Sequence, residues 1–335
     1  MKKFTTVWIC TLVIVLAFAF SYGSVQAQEK KITAKLADIL SPDHPHTKTW
    51  MYFADKVKEK TKGRVEIQVF HSGQLGQTRD LFLGMQMGNL EMAKIALSFS
   101  TEWIQENKVF DIPYLFQNRD ELWRVFNSPV GKRFFNEIPA KQGLVGLMWT
   151  DDGGRSIYTR DKAVRKPEDL RGLKIRVMTS DIMIQTINEM GGIGTPTAWG
   201  EVYLALQQKV LDGAENSPVL FFTSKHWEVC KVYSLTEQFW VGTPLLASKK
   251  WWDGLPKDVQ GQILDAGRDA EKYFVKIYTA DENQAIGWVK EKGVQVITDV
   301  DKPAFEKRVQ PVYESYTKKY GKDLLDQVRA AAKKK

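Results

Sequence analysis

Arg176 is the residue whose position in the sequence most suggests a binding role. It lies in the segment 170–178, LRGLKIRVM, where apolar residues at every second position predict a half-buried strand over 173–178. The arginine is on the other face, near the carboxyl end of the strand, where open α/β sheets usually bind their ligands. A guanidinium there can offer parallel N–H donors to a carboxylate. Taken alone, the segment fits a solvent-exposed arginine at least as well, because arginine side chains are mostly exposed.

Three other groups of residues are candidates for chemistry, and none has the context that its chemistry requires. The segment 192–194, Gly-Ile-Gly, lacks the third glycine of a dinucleotide fingerprint and follows a predicted helix instead of a strand. Cys230 has only His226 nearby in sequence, which is more typical of a buried small apolar residue than of a nucleophile. His44 and His46 have no further ligands at metal-site spacing, which favours a polar loop that caps the next helix. The sequence therefore predicts no enzyme, no cofactor and no bound metal ion.

The first 27 residues have the composition of a secretory leader. Two lysines precede an uncharged run over 7–20, and small residues stand just before Gln28. An uncleaved membrane anchor is the alternative, but this run is short against the roughly 20 residues that a spanning helix needs. We predict cleavage after Ala27 and export to the periplasm.

The mature chain that this cleavage would produce has 308 residues and is mildly basic. The leader removes two lysines, so the net charge falls from +8 to +6, and charges of both signs alternate along the chain. This pattern excludes the basic stripe of a nucleic-acid-binding protein. Cys230 is the only cysteine left, so no intramolecular disulfide can form. A chain of this length usually divides into two domains.

The elements that would position Arg176 follow a β-α-β pattern. Alternating residues predict strands over 32–38 and 65–69, and the segment between them has apolar residues at helical spacing from Trp50 onward. Such a unit implies a parallel sheet with helices packed on it. The later elements are predicted as a strand over 173–178, helices over about 180–190 and 199–210, and a turn at 212–213.

A single long helix is predicted over 257–292, where no proline interrupts a helical pattern. At 1.5 Å per residue it would reach about 50 Å, which is more than one lobe needs. Either it is kinked, with Gly287 as a candidate, or it lies across two lobes. We favour the second arrangement.

Four segments, taken together in this order and spacing, resemble a known family. They are SGQLGQTRDLFLGMQMGNLEM (72–92), DDGGRSIYT (151–159), PEDLRGLKIRVM with GTPTAWGEVYLALQQKVLDGAENSP (167–178 and 194–218), and WWDGLPKDV (251–259). They are similar to the extracytoplasmic solute receptors of tripartite ATP-independent periplasmic (TRAP) transporters, the DctP-like family. The resemblance covers essentially the whole mature chain. It implies a two-lobed α/β periplasmic binding protein (class II-like), with a long helix across both lobes and an organic acid bound in the cleft between them.

The resemblance also implies roles for particular residues. The arginine that grips the ligand carboxylate in the family corresponds to Arg176, and a second arginine corresponds to Arg155. The asparagine after the Asp-Gly turn corresponds to Asn216, and an aromatic residue that packs on the ligand corresponds to Trp199. A structural salt bridge is the alternative for Arg155, and a turn-stabilising role is the alternative for Asn216. Guanidinium and amide donors suit a carboxylate at any relevant pH.

Further pocket residues are expected from position and residue type. Gln74 lies in the loop after the second strand, and Trp240 lies near a predicted strand end. For any single tryptophan of this chain, a place in the core is the more frequent outcome. Together with Phe99 and Trp199, Trp240 suggests an apolar pocket with one charged end, which favours a small or aromatic monocarboxylate.

The sequence departs from two branches of the family that it resembles. Sialic-acid receptors have acidic residues where Thr78 and Ala96 stand here, which argues against a polyhydroxylated sugar acid. Some keto-acid receptors have an acidic metal ligand just after the Asp-Gly turn, where this chain has Asn216 and Ser217. A bridging metal ion is therefore not expected.

The predicted organisation is a leader over 1–27 and two lobes that each use two stretches of chain. The first lobe takes 28–152 and about 241–281, and the second takes 153–240 and about 282–335. By resemblance, the partners are a small organic anion and the membrane subunits of a TRAP permease, and the chain is expected to be a monomer. An exported enzyme and a receptor linked to a sensor kinase are the alternatives on the same scaffold.

Overall fold

The computed structural model describes residues 31–334. The predicted leader and its cleavage after Ala27 lie outside these residues. Within the described chain, no helix is long and apolar enough to cross a membrane.

The first of two sheets has five strands in the order β2-β1-β3-β10-β4. β1 pairs in parallel with β2 and with β3, whereas β10 runs antiparallel to β3 and β4. The predicted β-α-β unit is thus confirmed. The strands are β1 Ile32–Ala37, β2 Val65–Phe70, β3 Met92–Lys94, β4 Leu144–Met148 and β10 Leu245–Ser248. We call this sheet and its flanking helices the first lobe.

The second sheet has six strands in the order β11-β9-β5-β8-β6-β7. β6, which carries Arg176, pairs in parallel with β7 and β8, and β5 runs antiparallel to β8 and β9. The strands are β5 Asp151–Thr159, β6 Lys174–Val177, β7 Ile193–Pro196, β8 Gly213–Asn216, β9 Val232–Gly242 and β11 Gln295–Ile297. We call this sheet and its flanking helices the second lobe.

Helices cover both sheets and fill the connections. They are α1 Pro45–Lys60, α2 Thr78–Met87, α3 Arg119–Phe126, α4 Pro129–Lys132, α5 Ile138–Ala140, α6 Asp181–Glu189, α7 Trp199–Gln207, α8 Pro218–Thr223, α9 Lys249–Asp253, α10 Lys257–Glu291, α11 Lys302–Arg308, α12 Gln310–Tyr320 and α13 Asp323–Lys333. Shorter helical turns of 3-10 type occupy Leu97–Glu102, Gln105–Asp111, Pro167–Leu170 and His226–Glu228, and a π-helical turn occupies Arg133–Glu137.

The long helix α10 runs along both lobes, as predicted. In its first half it packs on α1, where the rings of Tyr52 and Tyr273 stack at 4.3 Å. Near its end it packs on α8, where the rings of Phe222 and Trp288 lie 5.2 Å apart. Between these contacts the hydroxyl of Tyr278 donates to the backbone oxygen of Asp152, where the chain enters the second sheet. One continuous helix therefore connects the two lobes.

His44 and His46 pack at the place where the chain crosses between the sheets. His44 caps α1, as predicted, because its Nδ1 accepts from the backbone N–H of His46. Nε2 of His46 lies 3.0 Å from Thr150 Oγ1 and 3.1 Å from Thr243 Oγ1, and these threonines belong to the two crossing connections. Burial lowers the pKa of both histidines well below the usual value, so they are neutral at physiological pH.

Candidate functional site

A small cavity lies between the two sheets. The carboxyl ends of β1 and β3 provide its wall in the first lobe, and β5, β6 and β8 provide its wall in the second. This is the place where open α/β sheets usually bind ligands. The lining residues are Ile39, Leu40, Thr78, Lys94, Ala96, Phe99, Asp152, Arg155, Arg176, Met178, Trp199, Asn216 and Leu220.

Arg176 is buried at this cavity, with 1% of its surface exposed, so the solvent-exposed alternative is wrong. Its Nε donates to the backbone oxygen of Thr197 at 3.0 Å, and its guanidinium lies 5.4 Å from the ring centre of Trp199. Its Nη2 is buried and makes no hydrogen bond with a described residue. Burial lowers the pKa of Arg176 to about 10, which still leaves it charged at neutral pH. An anion in the cavity would find a desolvated positive charge with a free donor.

Arg155 is equally buried, but its guanidinium is already committed to a neighbouring acid. Nε and Nη2 each donate to the carboxylate of Glu215 at 2.7 Å, and Nη2 also donates to the Glu215 backbone oxygen at 2.9 Å. Burial acts to lower the pKa of Arg155, but the charge of Glu215 outweighs it and the pKa rises. The salt bridge that was the alternative for Arg155 is therefore present, and the remaining nitrogen, Nη1, also lies against side chains of the protein, those of Asn216 and Asp152.

Asn216 is held in one orientation by two hydrogen bonds. Its Oδ1 accepts from Arg155 Nη1 at 2.6 Å and from the backbone N–H of Ser217 at 2.9 Å. Its backbone oxygen accepts from the hydroxyl of Tyr233 at 2.6 Å. Because the carbonyl side of the amide is occupied, the Nδ2 donors are left for the cavity. Arg155 thus positions Asn216.

Two aromatic side chains, one from each lobe, line the cavity. Trp199 begins α7 in the second lobe, and Phe99 lies in a helical turn of the first lobe. Next to Trp199, Gln77 Oε1 accepts from the backbone N–H of Gly200 at 3.2 Å. The two lobes are therefore in direct contact beside the cavity.

Two of the residues expected in the pocket lie outside it. Gln74 is exposed in the turn after β2, and Thr78, at the start of α2, lines the cavity instead. Trp240 lies on β9 opposite Gly154, and its ring covers that glycine so closely that a Cβ there would lie 2.8 Å from it. Trp240 therefore fills space within the second lobe and is absent from the cavity lining.

Lys94 and Asp152 were missed by sequence reasoning and both line the cavity. Lys94 Nζ lies 3.3 Å from Asp152 Oδ1, and both side chains are about 95% buried. Lys94 stands in the apolar run MAKIAL of a buried strand, which is the same signal that identified Arg176. The predicted apolar character thus describes only part of the lining, because Lys94 and Asp152 make another part of it ionic.

The described residues contain no group of three or more His, Cys, Asp or Glu side chains that could hold a metal ion. Cys230 is buried, and burial raises the pKa of its thiol to about 12. The arrangement in the cavity is suited to holding a carboxylate by hydrogen bonds and charge.

The comparisons with known proteins agree with one another. Residues 36–319 match the model of DctP, bacterial extracellular solute-binding protein, family 7. A solute-binding protein of Chromohalobacter salexigens is 34% identical over 283 residues, 84% of each chain. The C4-dicarboxylate-binding periplasmic protein DctP of Rhodobacter capsulatus is 30% identical over 312 residues, 92% of this chain and 93% of the relative.

A solved structure has a similar fold. The crystal structure of a TRAP periplasmic solute-binding protein from Chromohalobacter salexigens with bound D-glucuronate superposes with a TM-score of 0.86 at 33% identity. The match covers 89% of this chain and 99% of that one.

Proposed function

We propose a function from the premise that this chain belongs to family 7 of the bacterial extracellular solute-binding proteins, the DctP family of TRAP receptors. The chain binds an organic acid through one carboxylate in its interlobe cavity. The observation that carries the proposal is Arg176, a buried guanidinium whose Nη2 has no partner among the described residues. A buried charged donor without a partner is costly, and a ligand carboxylate would satisfy it.

Each cavity residue has a distinct role in this proposal. Arg176 binds the carboxylate, and the Nδ2 group of Asn216 donates a second hydrogen bond to it. Arg155 fixes Asn216 through Nη1 and adds a positive charge near the ligand carboxylate. Trp199, beside the Arg176 guanidinium, packs on the ligand and covers it. Gln74 and Trp240 take no part, because neither lines the cavity.

The relatives support an organic acid as the ligand. One is named for C4-dicarboxylates, and another was solved with bound D-glucuronate. These ligands differ in size and hydroxyl content but each has a carboxylate. We propose that this shared group is what Arg176 recognises here.

Ligand identity is tested most directly by native mass spectrometry of the freshly purified protein, followed by a thermal-shift screen against organic acids. We expect a carboxylate to raise the melting temperature, since a ligand that binds only the folded state stabilises it. A screen in which neutral sugars and amines stabilise the protein and no carboxylate does would contradict the proposal.

We propose that the protein delivers its ligand to the membrane subunits of a TRAP permease. For this role the chain must be exported. We propose that the segment 1–27 directs the chain to the periplasm and is cleaved after Ala27. N-terminal sequencing of periplasmic protein should begin at Gln28 or within a few residues of it. Protein that retains Met1 and sediments with membranes would contradict this prediction.

Ligand binding should be accompanied by closure of the two lobes. We propose that one lobe takes 28–152 and about 241–281, and that the other takes 153–240 and about 282–335. Arg176 and Asn216 are each 1% exposed, so a ligand reaches them only if the lobes separate. Hinge closure of this kind is usual in periplasmic binding proteins. X-ray scattering should give a smaller radius of gyration after ligand is added. An unchanged radius with binding confirmed by calorimetry would exclude closure.

A further inference from the structure

Lys94 is a second positive charge on the cavity wall, and it differs from Arg176 in having a carboxylate of the protein in direct contact with it. Arg176 belongs to the second lobe, whereas Lys94 ends β3 in the first lobe. Its Nζ lies 3.3 Å from Asp152 Oδ1, and both residues are buried. Of these two cations, only Arg176 has a buried donor without a partner.

Asp152 lies close to two cations of the protein. Besides Lys94, its Oδ2 lies 3.5 Å from Arg155 Nη1, and its Oδ1 lies 3.9 Å from the neutral ring of His46. A further acid, Asp38, is near enough to Lys94 for their charges to interact: burial raises the pKa of Asp38, and the lysine charge opposes that rise. The charge of Lys94 is therefore opposed by carboxylates of the protein itself.

The pair of Lys94 and Asp152 limits the charge that a ligand group can have beside it. A second ligand carboxylate would lose its hydration beside Asp152 and would find no uncompensated cation there, and burying an unpaired charge is strongly unfavourable. A neutral oxygen suits the same place, because Lys94 Nζ can donate to it and a hydroxyl can donate to Asp152.

We infer that the ligand is a monoanion with a neutral oxygen at the place where it meets Lys94 and Asp152, and that this pair selects against a second carboxylate. The inference rests on the proposed carboxylate-binding function and adds the charge class of the ligand. It also differs from the expectation from the sequence, in which the end of the ligand away from the carboxylate was apolar, because here that end forms hydrogen bonds.

The test uses two pairs of probes that differ in one terminal group: 4-hydroxybutanoate against succinate, and D-gluconate against D-glucarate. Calorimetry at pH 7.5 measures the dissociation constants for the wild type, for Asp152→Asn, and for Asp299→Asn. The last variant removes the same charge from an exposed ion pair with Arg165, away from the cavity.

We expect the wild type and Asp299→Asn to prefer the monoanion of a pair by at least about tenfold, the change that 1.4 kcal/mol produces. Asp152→Asn removes the repulsion and leaves Lys94 less compensated, so this preference should shrink several-fold. If Asp152→Asn does not fold, the ratio of the wild-type dissociation constants for the two members of each pair still tests the inferred charge of the ligand.

A wild type that binds the diacid as tightly as its monoanion would overturn the inference and leave the carboxylate function intact. A preference that Asp152→Asn leaves unchanged would overturn the role given to the pair. Failure of every carboxylate in the wider screen would instead refute the proposed function itself.

Discussion

Replacing Arg176 by lysine should weaken carboxylate binding by roughly 30-fold or more while the protein still folds. Loss of one side of a buried, hydrogen-bonded charge pair costs about 2–5 kcal/mol, and 1.4 kcal/mol corresponds to about tenfold in affinity. Lysine lacks the planar fork that holds both oxygens of a carboxylate, and it cannot stack on Trp199 as a guanidinium does.

Burial adds to the effect of this substitution. The site lowers the pKa of Arg176 to about 10, which is harmless for a group that begins near 12.5. The same burial would act on a lysine whose ordinary pKa is about 10.4, and so would bring its ammonium closer to neutrality. Binding by Arg176→Lys should therefore fall off more steeply as the pH rises above 7 than binding by the wild type.

Calorimetry with the identified ligand, at two pH values, checks both expectations. Arg171→Lys is the matched control, because Arg171 is exposed in the same segment and does not line the cavity. The melting temperature of ligand-free Arg176→Lys should fall only modestly, because the substitution removes one hydrogen bond, from Nε to the Thr197 backbone oxygen, and the contact with Trp199, whereas Nη2 has no partner among the described residues. Near wild-type affinity in Arg176→Lys would remove Arg176 from the binding site.

The local elements could be predicted from the sequence because each depends on one-sided burial. The alternation in β1 and β2 and the stripe from Trp50 follow directly from which side faces the core. The place of β10 was not predictable in this way. It inserts antiparallel between β3 and β4, and Leu246 pairs with Ala93 far away in the chain. No local pattern specifies such a pairing.

The residues of the binding site were likewise predictable only in part. Arg176 and Asn216 were identified from motifs, and both line the cavity. The partner of Arg155 was not identified, because Glu215 is 60 residues away and reaches it only through the register of β5 on β8. Gln74 was expected in the pocket and does not line the cavity, because the sequence does not show how the turn after β2 directs its side chains. Lys94 was overlooked although it has the same signature as Arg176.

Replacing Arg155 by methionine should destabilise the ligand-free protein by about 3–5 kcal/mol, the usual cost of breaking a buried ion pair on one side. The Glu215 side chain has no exposed surface and would lose the counterion that forms hydrogen bonds with it. Asn216 would also lose the donor that orients its amide. Unlike Arg176, Arg155 is therefore expected to matter for folding before any ligand is present.

Urea unfolding of the ligand-free protein measures the difference. Arg165→Met is the matched control, because Arg165 forms an exposed ion pair with Asp299, and loss of such a pair costs at most about 1 kcal/mol. The double variant Arg155→Met, Glu215→Leu should recover much of the stability, since an apolar pair of similar volume avoids the unpaired charge. If Arg155→Met unfolds at the same urea concentration as the wild type, the salt bridge contributes little, and Arg155 returns to the role of a second ligand-binding arginine.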